Sequence, residues 1–177
     1  MDGVLCDFVH SSLALHNRID LLDDWPLGER RIPQVLGISK SSFWAKVDEM
    51  GHEFWSQMPP FDWTQDLVSL VEEHAPYTIL SSPSLNANCP TGKINWLRNH
   101  IHGSFRDYLF GHQKHFCAKP DVVLIDDTDY NIDSFREHGG RAILFPQPWN
   151  ANHAISDRLG YVKSELAKFN AELLAQT

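Results

Sequence analysis

The chain has 177 residues, of which 42% are hydrophobic and 21% are charged, and its formal net charge is -8. This length and apolar content predict one domain with a sizeable core and exclude a disordered chain. Because the net charge is negative and the sequence contains no basic cluster, the composition argues against a nucleic-acid surface and favours a small-molecule ligand.

The cysteines and the apolar runs indicate the compartment. Cys6, Cys89 and Cys117 are odd in number and lack Cys-x-x-Cys spacing, which favours a reduced chain over a disulfide framework. No apolar run approaches the roughly 20 residues of a membrane span, and the first residues lack the charged and apolar regions of a signal peptide. We therefore predict a cytoplasmic protein without a membrane partner.

The first half of the chain is predicted to be mainly helical. The pattern favours a helix after the first turn, over residues 7–17, and then a loop around residues 25–33. Residues 39–57 carry apolar side chains at helical spacing behind serine caps, with Gly51 as a weak point. A further amphipathic helix is expected over residues 64–74.

The second half alternates strands with helices. Short β-branched or apolar runs predict strands at residues 77–80, 108–110, 122–125 and 142–145. Helices are expected over residues 90–101 and 156–175. Alternation of this kind is typical of an α/β fold with a parallel sheet, in which ligands bind beyond the carboxyl ends of the strands.

Polar residues open the chain and follow three of the predicted strands. They are Asp2, Ser81, Lys114, Asp126 and Asp127. Each position has a plain structural alternative: a surface turn at residues 2–3, serine caps at residues 81–82, and a solvated acidic turn at residues 126–129. Paired acids after an apolar strand also suit Mg²⁺, a hard ion that takes few carboxylates and keeps several waters.

Four segments carry a family resemblance: Asp2-Gly3-Val4-Leu5-Cys6-Asp7-Phe8, Leu80-Ser81-Ser82-Pro83, Pro90-Thr91-Gly92-Lys93-Ile94-Asn95-Trp96 and Leu124-Ile125-Asp126-Asp127. With Lys114, they resemble the motifs of the haloacid dehalogenase superfamily, and within it the chain is similar to the 5'(3')-deoxyribonucleotidase family. The resemblance runs from residue 2 to about residue 150. It implies a Rossmann-like parallel sheet whose core, residues 1–17 and 62–177, is interrupted by a small helical cap over residues 18–61.

The resemblance also implies a Mg²⁺-dependent phosphatase acting on nucleoside monophosphates, and roles for the site residues. Asp2 would protonate the leaving oxygen and then activate water, with its main-chain carbonyl as a metal ligand. Ser81 and Lys114 would bind the phosphoryl group. Asp127 would bind Mg²⁺ directly, with Asp126 as its neighbour in the metal site.

Other residues are candidates for the substrate pocket. The resemblance gives Phe8 a place in the nucleoside pocket, puts Ser82 beside Ser81, and leaves His112 within reach of the phosphate. By composition alone, the cap aromatics Trp44, Phe54 and Trp55 are candidates too, with packing between cap helices as the alternative. Lys119 rivals Lys114 as the phosphate-binding cation. We prefer Lys114 because the family's lysine follows a short strand by about three residues, although the gap to the paired aspartates departs by a small insertion.

The first aspartate of the family signature is expected just before Met1. A covalent mechanism needs this nucleophile, so the chain as written is expected to be inactive. The preceding apolar residues would form the central strand, and removing about five of them forfeits roughly 1.5 to 3 kcal/mol each. We therefore hypothesise that Met1 is an internal methionine of a longer protein, which is the enzyme.

Two alternatives stay open at this point. One is a non-catalytic nucleotide or phosphate sensor that keeps the pocket and lacks the nucleophile. The other is a sugar-phosphate phosphatase of the same superfamily. The sequence leaves the base, the sugar and the choice between a monomer and a homodimer undecided.

Overall fold

The computed structural model describes residues 1–175. Within that range the chain is a mixed α/β protein with eight α-helices and four short strands. The helices are α1 Phe8–Leu15, α2 Ile32–Val35, α3 Lys40–Glu49, α4 His52–Ser56, α5 Thr64–Glu72, α6 Asn88–His100, α7 Asp129–Glu137 and α8 Arg158–Leu174. The strands are β1 Ile79–Ser81, β2 Tyr108–Phe110, β3 Val123–Asp126 and β4 Arg141–Leu144.

The strands form two small parallel sheets. β1 pairs with β2 in a register that places Ser81 opposite Phe110, and β3 pairs with β4 so that Asp126 lies opposite Leu144. The prediction of parallel strands is therefore confirmed. A single Rossmann-like sheet is not confirmed, because among the described residues the order is β1-β2 in one sheet and β3-β4 in the other.

A narrow apolar cleft of about 130 Å³ lies between the two sheets. Side chains of β1 and β3 line it from both sides, and it is also bordered by Met1, Val4 and Leu5. Met1 is 6% exposed and borders a second, polar cavity as well. The cleft therefore leads from the apolar interior to the polar edge at which the strands end.

The helical predictions need three corrections. The helix expected over residues 39–57 is divided into α3 and α4, because Gly51 adopts a φ of 62° that no regular helix contains. The loop expected around residues 25–33 ends in the short helix α2, which Pro33 can start without losing a hydrogen bond. Helix α7 was not predicted, since only Ile132 and Phe135 of its nine residues are buried and its first turn is polar.

The remaining predicted elements occur with shifted ends. Helices α1, α5, α6 and α8 and all four strands overlap the predicted ranges; β2 matches its range, and the ends of the others differ by at most two residues. In α1 the side chain of Asp7 accepts a hydrogen bond from the backbone N–H of His10 and caps the helix. None of the helices within residues 1–175 has the length and apolar character needed to cross a bilayer.

Close packing holds the segment between α1 and α5 against the rest of the molecule. Helix α4 lies on α6, where a Cβ atom on Gly92 would come within 2.3 Å of the carbonyl oxygen of His52. Phe8 stacks on Trp55 with ring centroids 5.6 Å apart. The helices of this segment therefore share one apolar core with α1 and α6.

Candidate active site

The carboxyl ends of β1 and β3 and the loop after β2 meet at a cavity of about 490 Å³. Seven of the residues singled out from the sequence line it: Asp2, Phe8, Ser81, Ser82, His112, Lys114 and Asp127. The eighth, Asp126, is 3% exposed and ion-paired with Lys114 at the cavity wall. The volume falls within the range of about 300 to 1,000 Å³ that is usual for small-molecule sites.

A buried lysine organises the first part of the site. Lys93 is 0% exposed, and its Nζ lies 2.5 Å from Oδ2 of Asp2 and 2.9 Å from Oγ of Ser81. It also donates to the carbonyl oxygen of Ser82 at 2.9 Å. One ammonium therefore links the start of the chain to the end of β1, with all three of its donors used.

The charges of this cluster stabilise one another. Burial lowers the pKa of Lys93, but the carboxylate of Asp2 more than offsets that effect, and the net pKa of Lys93 is raised. Burial likewise raises the pKa of Asp2, while Lys93 and the amino group of Met1 lower it, and the net pKa is lowered. Asp2 is thus ionised in this state of the protein.

A second buried ion pair forms the opposite wall. Lys114 contacts Oδ2 of Asp126, and Oδ1 of Asp126 accepts from the backbone N–H of Thr128 at 3.0 Å and from Asn131 at 2.9 Å. Burial raises the pKa of Asp126, but Lys114 more than offsets this and the net pKa is lowered. Asp126 therefore fixes Lys114 at the cavity. Lys119 is exposed and lies after the 3-10 helix that Lys114 begins.

Asp127 is held differently from its neighbour. Its Oδ2 accepts a 2.7 Å hydrogen bond from the indole N–H of Trp149, and its Oδ1 lies 3.5 Å from the hydroxyl of Thr128. Burial, reinforced by the charge of Asp126, raises the pKa of Asp127 to about 6. Gly3 has a φ of +71°, and a Cβ atom there would come within 2.2 Å of Oδ2 of Asp127. This glycine therefore allows the first turn to touch the carboxylate.

The loop after β4 ties the first turn to β3. Gln147, 2% exposed, donates to the carbonyl oxygen of Gly3 at 2.5 Å. Asn150, 3% exposed, donates to the carbonyl oxygens of Asp127 at 2.9 Å and Phe145 at 2.7 Å. Two buried amides thus fix the relative positions of Gly3 and Asp127.

The oxygen atoms left for a metal ion are few. Both oxygens of Asp126 are taken by protein donors, and Oδ2 of Asp2 is taken by Lys93. Asp127 and Asp2 both border the cavity. Within residues 1–175 no group of three or more His, Cys, Asp or Glu side chains is arranged to hold a metal. This donor set fits Mg²⁺, which needs few protein ligands, better than a structural zinc ion.

An aromatic cavity of about 400 Å³ adjoins the polar one. The two share Asp2, Phe8, Ser82 and His112, and the aromatic cavity is also lined by Trp44 and Trp55. Of the three cap aromatics singled out from the sequence, Phe54 instead packs edge-on against Phe8 at 5.8 Å and is 5% exposed. The adjoining polar and aromatic linings suit a ligand with one charged and one aromatic end.

Sequence reasoning missed several residues of the site. Lys93 was noted only as part of a motif, because lysines are mostly exposed and no local pattern shows that this one is buried and paired. Trp149 and Asn131 were not singled out, because no local pattern tells a loop tryptophan or a helix asparagine to face a carboxylate. Arg30, in the segment before α2, also lines the polar cavity.

The fold and these side chains define a haloacid dehalogenase-like α/β protein. A comparison with protein-family models matches residues 1–160 to the family described as 5' nucleotidase, deoxy (pyrimidine), cytosolic type C protein. The match covers more than half of the chain, and the chain belongs to this family. Membership indicates a nucleotidase of the hydrolase class. No curated protein shows a significant match to this chain.

Proposed function

We propose that the complete protein is a Mg²⁺-dependent phosphatase that hydrolyses nucleoside 5'-monophosphates, deoxyribonucleotides among them, to nucleoside and phosphate. The observation that carries the proposal is the convergence of Ser81, Lys114 and Asp127 with Asp2 around one polar cavity. In this proposal the reaction passes through an aspartyl-phosphate, and the nucleophilic aspartate immediately precedes Met1.

The phosphoryl group has suitable partners in the polar cavity. Its transfer spreads negative charge over three oxygens, so a site needs positioned donors and cations. Ser81 supplies a hydroxyl and Lys114 supplies an ammonium that Asp126 keeps in place. Asp127 and the main-chain carbonyl of Asp2 would hold Mg²⁺, which would supply further positive charge to the phosphoryl group.

Asp2 is suited to move the proton. In the first step the nucleophile's oxygen forms a bond to phosphorus, the ester bond breaks, and Asp2 gives its proton to the leaving oxygen. In the second step Asp2 takes a proton from water, the water oxygen forms a bond to phosphorus, and the bond from phosphorus to the nucleophile breaks, which releases phosphate and restores the nucleophilic carboxylate. Because Asp2 is the ionised partner of Lys93, it must gain a proton as the substrate binds, and the incoming phosphate's negative charge favours that gain.

The cleft between the sheets supports the position proposed for the nucleophile. Its walls are the facing sides of β1 and β3, and Met1 borders both the cleft and the polar cavity. An apolar strand lying in the cleft would pair with both sheets and would deliver its last residue to the polar cavity. Burial lowers the pKa of the Met1 amino group, and Lys114 lowers it further. A peptide bond at this nitrogen would remove a charge that the site disfavours.

The aromatic cavity supports a nucleoside as the leaving group. Because the two cavities share Asp2 and Phe8, a phosphate bound in the polar cavity would place its ester substituent in the aromatic one. Trp44, which is only half-buried, offers a ring face for a base, whereas Trp55 is 2% exposed and forms the floor behind it. A sugar phosphate would leave the Trp44 ring uncovered, so this observation favours a nucleotide over the sugar-phosphate alternative.

The test compares this chain with a version extended by the codons upstream of Met1. Phosphate release is measured with ribo- and deoxyribonucleoside monophosphates and with sugar phosphates, with Mg²⁺ and with EDTA. We expect Mg²⁺-dependent release from nucleotides by the extended protein only. Tight nucleotide binding without turnover by both proteins would support the sensor, and preference for sugar phosphates would support the other phosphatase.

A further inference from the structure

We propose that Trp149 is a positioning residue for Asp127, and that Trp25 braces Trp149 so that the segment before α2 contributes to metal binding. The inference rests on the proposed function, because it takes Asp127 as the Mg²⁺ ligand. It concerns two residues that neither motif nor family membership assigns.

The contact between Trp149 and Asp127 leaves the carboxylate one free oxygen. Trp149 is 8% exposed, and its indole N–H donates to Oδ2 at 2.7 Å. Among the described residues, the partner found for Oδ1 is the hydroxyl of Thr128 at 3.5 Å. An indole N–H is a donor only, so it can orient a carboxylate but cannot replace it as a ligand.

The neighbouring residues restrict the positions of the Asp127 carboxylate and the Trp149 indole. A Cβ atom on Gly3 would lie 2.2 Å from Oδ2 of Asp127 and 3.1 Å from the Trp149 ring. Asn150 meanwhile holds the main-chain carbonyl of Asp127 at 2.9 Å. Without the indole N–H, Oδ2 would lose its partner and the carboxylate could rotate about its side-chain bonds.

Trp25 connects this pair to the segment before α2. Its ring meets that of Trp149 edge-on, with centroids 6.3 Å apart, and it is 9% exposed. The indole N–H of Trp25 donates to the carbonyl oxygen of Glu29 at 2.9 Å, and Gly28 donates to that of Pro148 at 2.9 Å. The segment is therefore attached at two points to the loop that carries Trp149.

These contacts make metal affinity depend on residues that do not touch the metal. Groups that orient a metal's ligands typically contribute about 10- to 100-fold to affinity. Since Trp149 orients the ligand and Trp25 orients Trp149, loss of the first should weaken metal binding more than loss of the second. An indole that merely fills the core would lack this effect.

The experiment measures Mn²⁺ binding by electron paramagnetic resonance, on this chain and on the N-terminally extended protein, with saturating inorganic phosphate. The variants are Trp149→Phe, Trp25→Phe and Asp127→Asn. Trp63→Phe is the matched control, because the indole of Trp63 also donates a partly buried hydrogen bond, to the carbonyl oxygen of Val4 at 3.0 Å. Thermal unfolding is recorded for each variant.

We expect Trp149→Phe to weaken Mn²⁺ binding at least tenfold and Trp25→Phe to weaken it less, whereas Trp63→Phe lowers stability without a change in affinity. If Trp149→Phe binds Mn²⁺ as tightly as the unmodified protein while Asp127→Asn binds it more weakly, this inference is wrong but the proposed function is not affected. Unchanged affinity in Asp127→Asn, or no binding by either unmodified protein, would remove the metal site itself and the proposed function with it.

Discussion

The ammonium of Lys93 lies 2.5 Å from the carboxylate of Asp2, although 91 residues separate them in the chain. Lys93 is 0% exposed while the side chain of Asp2 is 29% exposed, so one partner is enclosed and the other opens on the cavity. Removing the lysine would leave a partly buried carboxylate with its main counter-charge gone. The ion pair therefore affects two properties. It contributes to the stability of the core, and it sets the protonation of Asp2, the residue proposed to transfer the proton.

We predict that Lys93→Met lowers both stability and activity. Breaking a buried ion pair by removing one partner typically costs about 3 to 5 kcal/mol, and the partial exposure of Asp2 places the expected loss near or below the lower end of that range. The loss is measured by urea unfolding, and turnover is measured in the extended protein. Lys168→Met is the control, because Lys168 pairs with Glu165 at the surface, where solvent screens the pair and its loss should change stability little. Equal losses in the two variants would contradict the prediction.

We predict that Lys114→Ala costs the extended protein far more activity than Lys119→Ala. Lys114 is 7% exposed, borders the polar cavity and pairs with Asp126, whereas Lys119 is exposed. A loss of at least 100-fold in kcat/KM is expected for Lys114→Ala and less than twofold for Lys119→Ala, measured as phosphate release. The reverse order would reassign the phosphate-binding cation to Lys119.

The residues at the strand ends could be predicted from the sequence because their placement depends on a local rule. A parallel strand that ends at Ser81 or Asp126 must present its last side chains and those that follow at one edge of its sheet. No comparable rule places Lys93, whose ion pair with Asp2 depends on how α6 lies against α4 at Gly92. The contact of Trp149 with Asp127 was missed for the same reason, since it joins a loop to a strand 22 residues away.

We predict that Asp127→Asn stabilises the metal-free protein at pH 7. Burial raises the pKa of Asp127 to about 6, above the value of about 3.9 in an unfolded chain. The folded state therefore binds more protons between about pH 4 and pH 6, and the free energy of unfolding falls as the pH rises through this window. The asparagine has no charge to bury, so it should gain up to about 3 kcal/mol at pH 7.

This gain should vanish near pH 4, where Asp127 is protonated in the folded state. Urea unfolding in EDTA at pH 7 and pH 4 measures it for both proteins. Ser84→Ala, at a position outside the polar cavity, controls for general effects of buffer and pH. A variant that is no more stable than the parent at pH 7 would show that the protein does not disfavour the ionised carboxylate.

We predict that Gly3→Ala is more damaging than Gly28→Ala, although both glycines have positive φ. Gly3 has a φ of +71° and Gly28 a φ of +82°, so an alanine at either position pays a similar backbone cost of about 1 kcal/mol. Around Gly28 no atom lies within 4 Å of an added Cβ, whereas at Gly3 that atom would come within 2.2 Å of Oδ2 of Asp127. The additional loss at Gly3 therefore measures the close approach of the first turn to Asp127, the carboxylate proposed to bind the metal.

Two measurements separate these costs. Urea unfolding should show Gly28→Ala about 1 kcal/mol less stable than the parent, with Gly3→Ala lower by a further 1 kcal/mol or more because Asp127 and Trp149 must move. Mn²⁺ binding should be weakened in Gly3→Ala and unchanged in Gly28→Ala, since only the first substitution displaces the carboxylate. If the two variants matched in both measurements, the packing of Gly3 against Asp127 would have no part in holding the metal ligand.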